Sequence, residues 1–144
     1  MSLIRLICIA FPAALLAGPV PADTRLVMVA QPGCAYCAQW NAEIAPAYPN
    51  TTEGRFAPLL RADLRADPPD GVRYDRKVLF TPTFILIQDG TERARIEGYP
   101  GQDFFWPLLA RMLTENTDYD PQRAADAATR TREVGDGHGV SGAP

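Results

Sequence analysis

Apolar positions gather in a few short stretches of the chain, and their spacing changes from one stretch to the next. Arg25-Leu26-Val27-Met28-Val29-Ala30 is a run dominated by apolar residues, the pattern of a central strand buried on both faces. It stops at Gln31-Pro32-Gly33, where proline and glycine punctuate the chain. Cys37, Trp40 and Ile44 follow at intervals of three and four, which sets them on one face of a helix that Pro46 and Pro49 end or bend. Beyond a loop over Asn50 to Arg55, the stretch Ala57 to Leu64 predicts a second strand, with Pro58 weakening its first residues. Asp67-Pro68-Pro69-Asp70-Gly71 reads as a turn, and Val72 to Phe80 fits a short helix and an extended approach equally. Thr83 to Gln88 and Thr91 to Glu97 flank Asp89-Gly90, a strong hairpin signal. Phe105, Leu108, Leu109 and Met112 then take helical spacing, with Asp103 as the expected N-cap. Pro107 is tolerated only near a first turn, so this helix is expected to begin no earlier than Asp103 or to be kinked.

Both ends depart from this pattern. In residues 1–22, Arg5 is the only charge, Leu6 to Ala17 is nearly all apolar, and Val20-Pro21-Ala22 offers small residues for cleavage, which together read as a secretory signal peptide. Pro12, Gly18, Pro19 and Pro21 break the stretch before it reaches the ~20 continuous apolar residues a membrane anchor needs. Cleavage is expected after Ala22, with Ala17 as the alternative, so the mature protein is expected to be exported. After about Glu115 large apolar residues almost vanish and glycines accumulate, so residues 115–144 are expected to form a polar, largely disordered tail. Asp120-Pro121 is a start signal for a short polar helix within it, running to Arg132. Residues 23–114 remain as the single domain, and the composition of the whole chain, 47% hydrophobic and 22% charged, is that of a soluble globular protein. A formal net charge of -3 supplies no basic field for nucleic acid, which leaves proteins or small thiols as partners.

Removal of the signal peptide removes Cys8 and leaves Cys34 and Cys37 alone. Two cysteines separated by Ala35 and Tyr36 close almost no loop, so a bridge between them adds little by constraining the unfolded chain. A zinc site would need two further ligands, yet the only histidine is His138, and haem attachment would need histidine where Ala38 stands. The remaining reading is a redox pair that needs no metal and no cofactor beyond its own disulfide. A thiolate is the attacking species in disulfide exchange, and Cys34 follows a strand and opens a helix, where backbone N–H groups and the helix dipole stabilise negative charge. Cys34 is accordingly the expected nucleophile. Cys37, one turn further in, is the expected resolving thiol. The neutral Ala35-Tyr36 dipeptide adds no charge to favour the thiolate, which points to a less oxidising disulfide than a histidine between the cysteines would give, unless a cation arrives from elsewhere in the fold.

The strand ending in Gln31-Pro32-Gly33, the Cys34-Ala35-Tyr36-Cys37 pair, Trp40, and Thr81-Pro82-Thr83-Phe84 leading into a hairpin together resemble the thioredoxin superfamily, over roughly Thr24 to Leu113. The resemblance implies an α/β fold of minimal thioredoxin type, a four-stranded mixed sheet with helices on its faces. It also implies that Pro82 is cis and that its loop faces the cysteines, with Thr81 offering backbone groups to an extended substrate. Met28 stands near the place where thioredoxins proper carry a buried acid, and their additional N-terminal strand and helix are missing. More narrowly, Gln31 to Trp40, Glu43 to Tyr48, Phe80 to Phe84 and Gly98 to Trp106 are similar to the SoxS-type thioredoxin-like proteins of bacterial sulfur-oxidation systems. That similarity implies a periplasmic reductase that keeps a sulfur-carrier protein's cysteine reduced, with electrons from a membrane thiol donor. A general disulfide oxidase or isomerase, and a redox-sensing binding module without turnover, are the alternatives.

Among the other residues, Tyr36 is the expected rim of a substrate surface, and Trp40 is expected to be core. Tyr99 fits core packing and substrate contact equally. Glu43, nine residues beyond Cys34 on the same helix, is expected to be solvated.

Overall fold

The computed structural model describes residues 22–136, with side chains to residue 131. Nearly all of the signal-peptide stretch, Cys8, His138 and the last eight residues lie outside the described residues. Strands β1 (Thr24–Ala30), β2 (Leu59–Asp63), β3 (Thr83–Gln88) and β4 (Thr91–Glu97) form one sheet in the order β2-β1-β3-β4. β2 runs parallel to β1, while β3 pairs antiparallel with both β1 and β4, so the sheet is mixed. The helices are α1 (Ala35–Glu43), α2 (Thr52–Phe56), α3 (Gln102–Asn116) and α4 (Pro121–Asp136).

The two faces of the sheet are covered differently. Leu26 and Met28 of β1 and Phe84 and Leu86 of β3 point into the main core, where α1 contributes Cys37 and Trp40 and α3 contributes Phe105, Leu109, Met112 and Leu113. Trp40 stacks obliquely on Phe84, with ring centres 5.3 Å apart, and meets Phe105 edge-on at 5.8 Å. The alternate residues Val27, Val29, Ile85 and Ile87 form a smaller cluster on the opposite face. Among the described residues no helix packs there: Leu64, Val72, Tyr74 and Val78, from the irregular segment between β2 and β3, cover it instead. The stretch Val72 to Phe80 is thus an extended approach rather than a helix.

Two expectations are corrected. α3 begins at Gln102 with Gly101 as its cap, so Asp103 lies in the first turn and Pro107 falls at the sixth helical position. Pro107 and Asp103, four residues before it, are both exposed, so water can serve the Asp103 carbonyl that loses its helical donor and the helix continues through the proline. The polar helix expected from Asp120-Pro121 is present as α4, but the described part of the tail is attached to the domain and not disordered. Tyr119 is buried, its ring 4.9 Å from that of Phe56, and its hydroxyl donates to the Glu53 carboxylate of α2 at 3.1 Å and lies 3.0 Å from Thr52 Oγ1. Asp120 then caps α4 by accepting the N–H groups of Gln122 and Arg123.

Candidate active site

Gly33, at φ +79°, takes the left-handed conformation that turns the chain out of β1, and the Cys34 N–H closes that turn on the Gln31 carbonyl. Cys34 is the N-cap of α1. Its Sγ accepts the backbone N–H of Cys37 at 3.1 Å, the role a serine or aspartate oxygen usually fills. The N–H groups of Ala35 and Tyr36 open the same helix with no acceptor inside it. Cys34 is half-buried, whereas Cys37 is 4% exposed against the main core. The two are joined by a disulfide with S–S 2.03 Å.

Sheet register brings the second loop to this end. Val29 pairs with Thr83 at the end of the β1–β3 ladder, so the Thr81-Pro82 peptide enters β3 at the end of the sheet where β1 leaves for Cys34. The Thr81-Pro82 peptide is cis, Pro82 is buried, and its carbonyl accepts the Gly98 N–H at 2.7 Å. Among the described residues, no backbone group of Thr81 bonds to another backbone group, which leaves both open to an extended strand. Tyr36 is 61% exposed, and the sequence reading missed two comparable neighbours of Pro82 in the chain, Leu79 at 68% and Phe80 at 60%. Adjacent apolar residues just before a proline were the available signal.

Trp40 is fully buried. Tyr99 is buried as well, and its hydroxyl donates to Glu43 at 2.5 Å, so Glu43 is not merely solvated. Hydrogen bonds from Tyr99 and then Gln39 hold the Glu43 carboxyl below the usual range, while burial and the bond to Glu43 push the Tyr99 hydroxyl up. The Arg61 guanidinium lies 5.8 Å from the Trp40 ring centre, and its Nη1 is 3.6 Å from Met28 Sδ. Among the described residues, no cluster of three metal-ligating side chains occurs, and no helix is long and apolar enough to cross a membrane.

Residues 21–113 match the family model of a thioredoxin-like domain. The crystal structure of the periplasmic thioredoxin SoxS from Paracoccus pantotrophus, in its reduced form, is 57% identical, with a TM-score of 0.61 over 62% of this chain and 95% of that one. The structure of thioredoxin-2 from the malaria parasite, described as a component of protein secretion machinery, is 18% identical, with a TM-score of 0.45 over 65% of this chain and 86% of that one. Comparison with curated proteins returned no match.

Proposed function

Because this chain belongs to the thioredoxin-like domain family and is a thiol-disulfide oxidoreductase, we propose that it acts in the periplasm as a reductase that keeps a partner protein's cysteine free of disulfides. The observation that carries this reading is the seat of Cys34 Sγ, which caps α1 and receives the Cys37 N–H, at the end of the sheet where the cis Thr81-Pro82 peptide enters β3. The reduced Cys34 loses its proton and attacks one sulfur of the substrate disulfide, expelling the other as a thiolate that takes up a proton. Cys37 then attacks Cys34 Sγ, the mixed disulfide breaks, and the second substrate thiol leaves. Two electrons have passed from the dithiol to the substrate, and the chain is left with the Cys34–Cys37 disulfide. Tyr36, Thr81 and Pro82 contact the substrate chain. A membrane thiol donor re-reduces the pair, and no metal or separate cofactor takes part.

The partner is a sulfur-carrier protein of a sulfur-oxidation system, a reading supported by the similarity to the Paracoccus protein. Residues 1–22 serve as the cleaved export signal, and the redox domain follows from residue 23. A Cys37→Ser variant expressed in the periplasm tests the partner, because it stops the reaction at the mixed disulfide. The trap is expected to hold one dominant protein carrying a single functional cysteine; a broad set of secreted proteins would overturn the dedicated partner. The direction of electron flow has its own measurement. With a neutral dipeptide between the cysteines, the equilibrium potential against glutathione is expected at about -270 mV or below, and a value near -120 mV would identify an oxidant instead.

A further inference from the structure

β4 contains a device that neither its sequence pattern nor the dithiol chemistry accounts for. Pairing runs Thr83 with Glu97 and Ile85 with Arg95, then slips between Leu86 and Ile87 so that Ile87 meets Glu92. The extra residue changes the phase of the strand, and Glu92, Arg95 and Glu97 consequently share the sheet face that no described helix covers. The side chains of Glu92 and Arg95 are 3% and 4% exposed and joined by two bonds of 2.6 Å, from Nε and Nη2 of Arg95 to the two carboxylate oxygens. Arg95 Nη1 lies 3.7 Å from Glu97.

Each partner also holds the segment that crosses this face. Glu92 accepts the Asp75 N–H at 2.9 Å, and Arg95 Nη2 donates to the Arg76 carbonyl at 3.0 Å. Main-chain bonds from Arg73 to the Gly90 carbonyl and from Glu92 to the Arg73 carbonyl begin the attachment. Apolar packing of Val72, Tyr74 and Val78 on Val27, Val29, Ile85 and Ile87 adds to these bonds, beside an open pocket of about 470 Å³. Immediately beyond the clamped residues, Val78 is buried, Leu79 and Phe80 stand out in solvent, and Thr83 Oγ1 donates to the Phe80 carbonyl at 2.7 Å.

We propose that the buried Glu92–Arg95 pair is a clamp that presents Leu79 and Phe80, next to the Thr81-Pro82 loop, as the contact surface for protein disulfides. Glu92 and Arg95 are positioning residues: they touch neither the sulfurs nor the substrate. The assignment rests on the reading of the chain as a reductase of protein disulfides and names what sets its preference for proteins. A small disulfide needs only the sulfurs, so it is indifferent to the clamp.

The test compares insulin with hydroxyethyl disulfide as substrates, dithiothreitol supplying electrons. The variants are Arg95→Met, Arg95→Lys and the double Glu92→Leu, Arg95→Met. The double variant removes both charges together, which avoids an unpaired buried ion and keeps the comparison available where a single variant unfolds. Expected is a rise of about tenfold in KM for insulin, with kcat, the rate on hydroxyethyl disulfide and the equilibrium potential unchanged, and partial recovery in Arg95→Lys. An unchanged KM for insulin in the folded double variant would overturn the clamp, as would equal losses on both substrates. A wild-type chain that reduces neither substrate would instead overturn the underlying reading, and the clamp with it.

Discussion

With Cys34 replaced by serine, catalytic reduction of insulin by dithiothreitol falls to the uncatalysed rate, a loss of about a thousandfold or more. The cause lies in access and in charge. Cys37 is 4% exposed, packed against the main core, and cannot present its sulfur to a protein disulfide without opening α1. Cys34 is half-buried at the rim, and its sulfur already occupies the cap position where the Cys37 N–H and the free N–H groups of the first turn stabilise an anion. A serine hydroxyl keeps its proton at neutral pH and leaves no thiolate at that seat. The fold should survive, because serine is itself a good N-cap. Cys37→Ser differs: a single attack by Cys34 proceeds and release does not, so stopped-flow shows one fast stoichiometric phase without turnover. Multiple turnover by Cys34→Ser would reverse the roles of the two cysteines.

The second large effect is on stability. Gly54→Ala should destabilise the domain by about 3 kcal/mol or more, lowering Tm by roughly 10 °C, although alanine is the better helix former by about 1 kcal/mol. Gly54 lies in the middle of α2, and a Cβ there would come within 1.8 Å of the Tyr48 carbonyl oxygen. That carbonyl cannot retreat freely. It accepts from the Thr51 N–H and from Thr51 Oγ1, while the Tyr48 ring is buried near Trp40 and Trp106 and its hydroxyl donates to the Ala57 carbonyl at 2.7 Å. Thermal unfolding followed by circular dichroism checks it. A Tm equal to or above that of the parent would mean that the backbone yields easily here and that intrinsic propensity decides the outcome.

These residues also mark where the sequence was readable. β1, α1 and the β3–β4 hairpin follow directly from spacing: a strand buried on both faces needs an unbroken apolar run, and a helix face needs intervals of three and four. The dithiol was legible for a local reason, since strand, Gly33 turn and helix start adjoin in the chain. What escaped depended on partners distant in sequence. Tyr119 looks isolated among polar neighbours, and only the fold brings it against Phe56, 63 positions earlier. Val72 to Phe80 has no period because it follows the hydrogen-bonding groups of β4 and not its own repeat. Glu92 and Arg95, three apart, read as opposite faces of a plain strand until the slipped register turns them to the same side.

That slip sets a rule for the length of the chain, quite apart from the identity of its residues. Most hairpins can be trimmed or extended at small cost. Here the count between the Asp89-Gly90 turn and the Gly98 N–H that braces Pro82 is fixed by one surplus residue. Remove it, and ordinary alternation would return Glu92 or Arg95 to the aromatic core around Trp40, an ion where the packing has room only for carbon. Descendants of this chain can therefore exchange side chains along β4 far more freely than they can gain or lose a residue there.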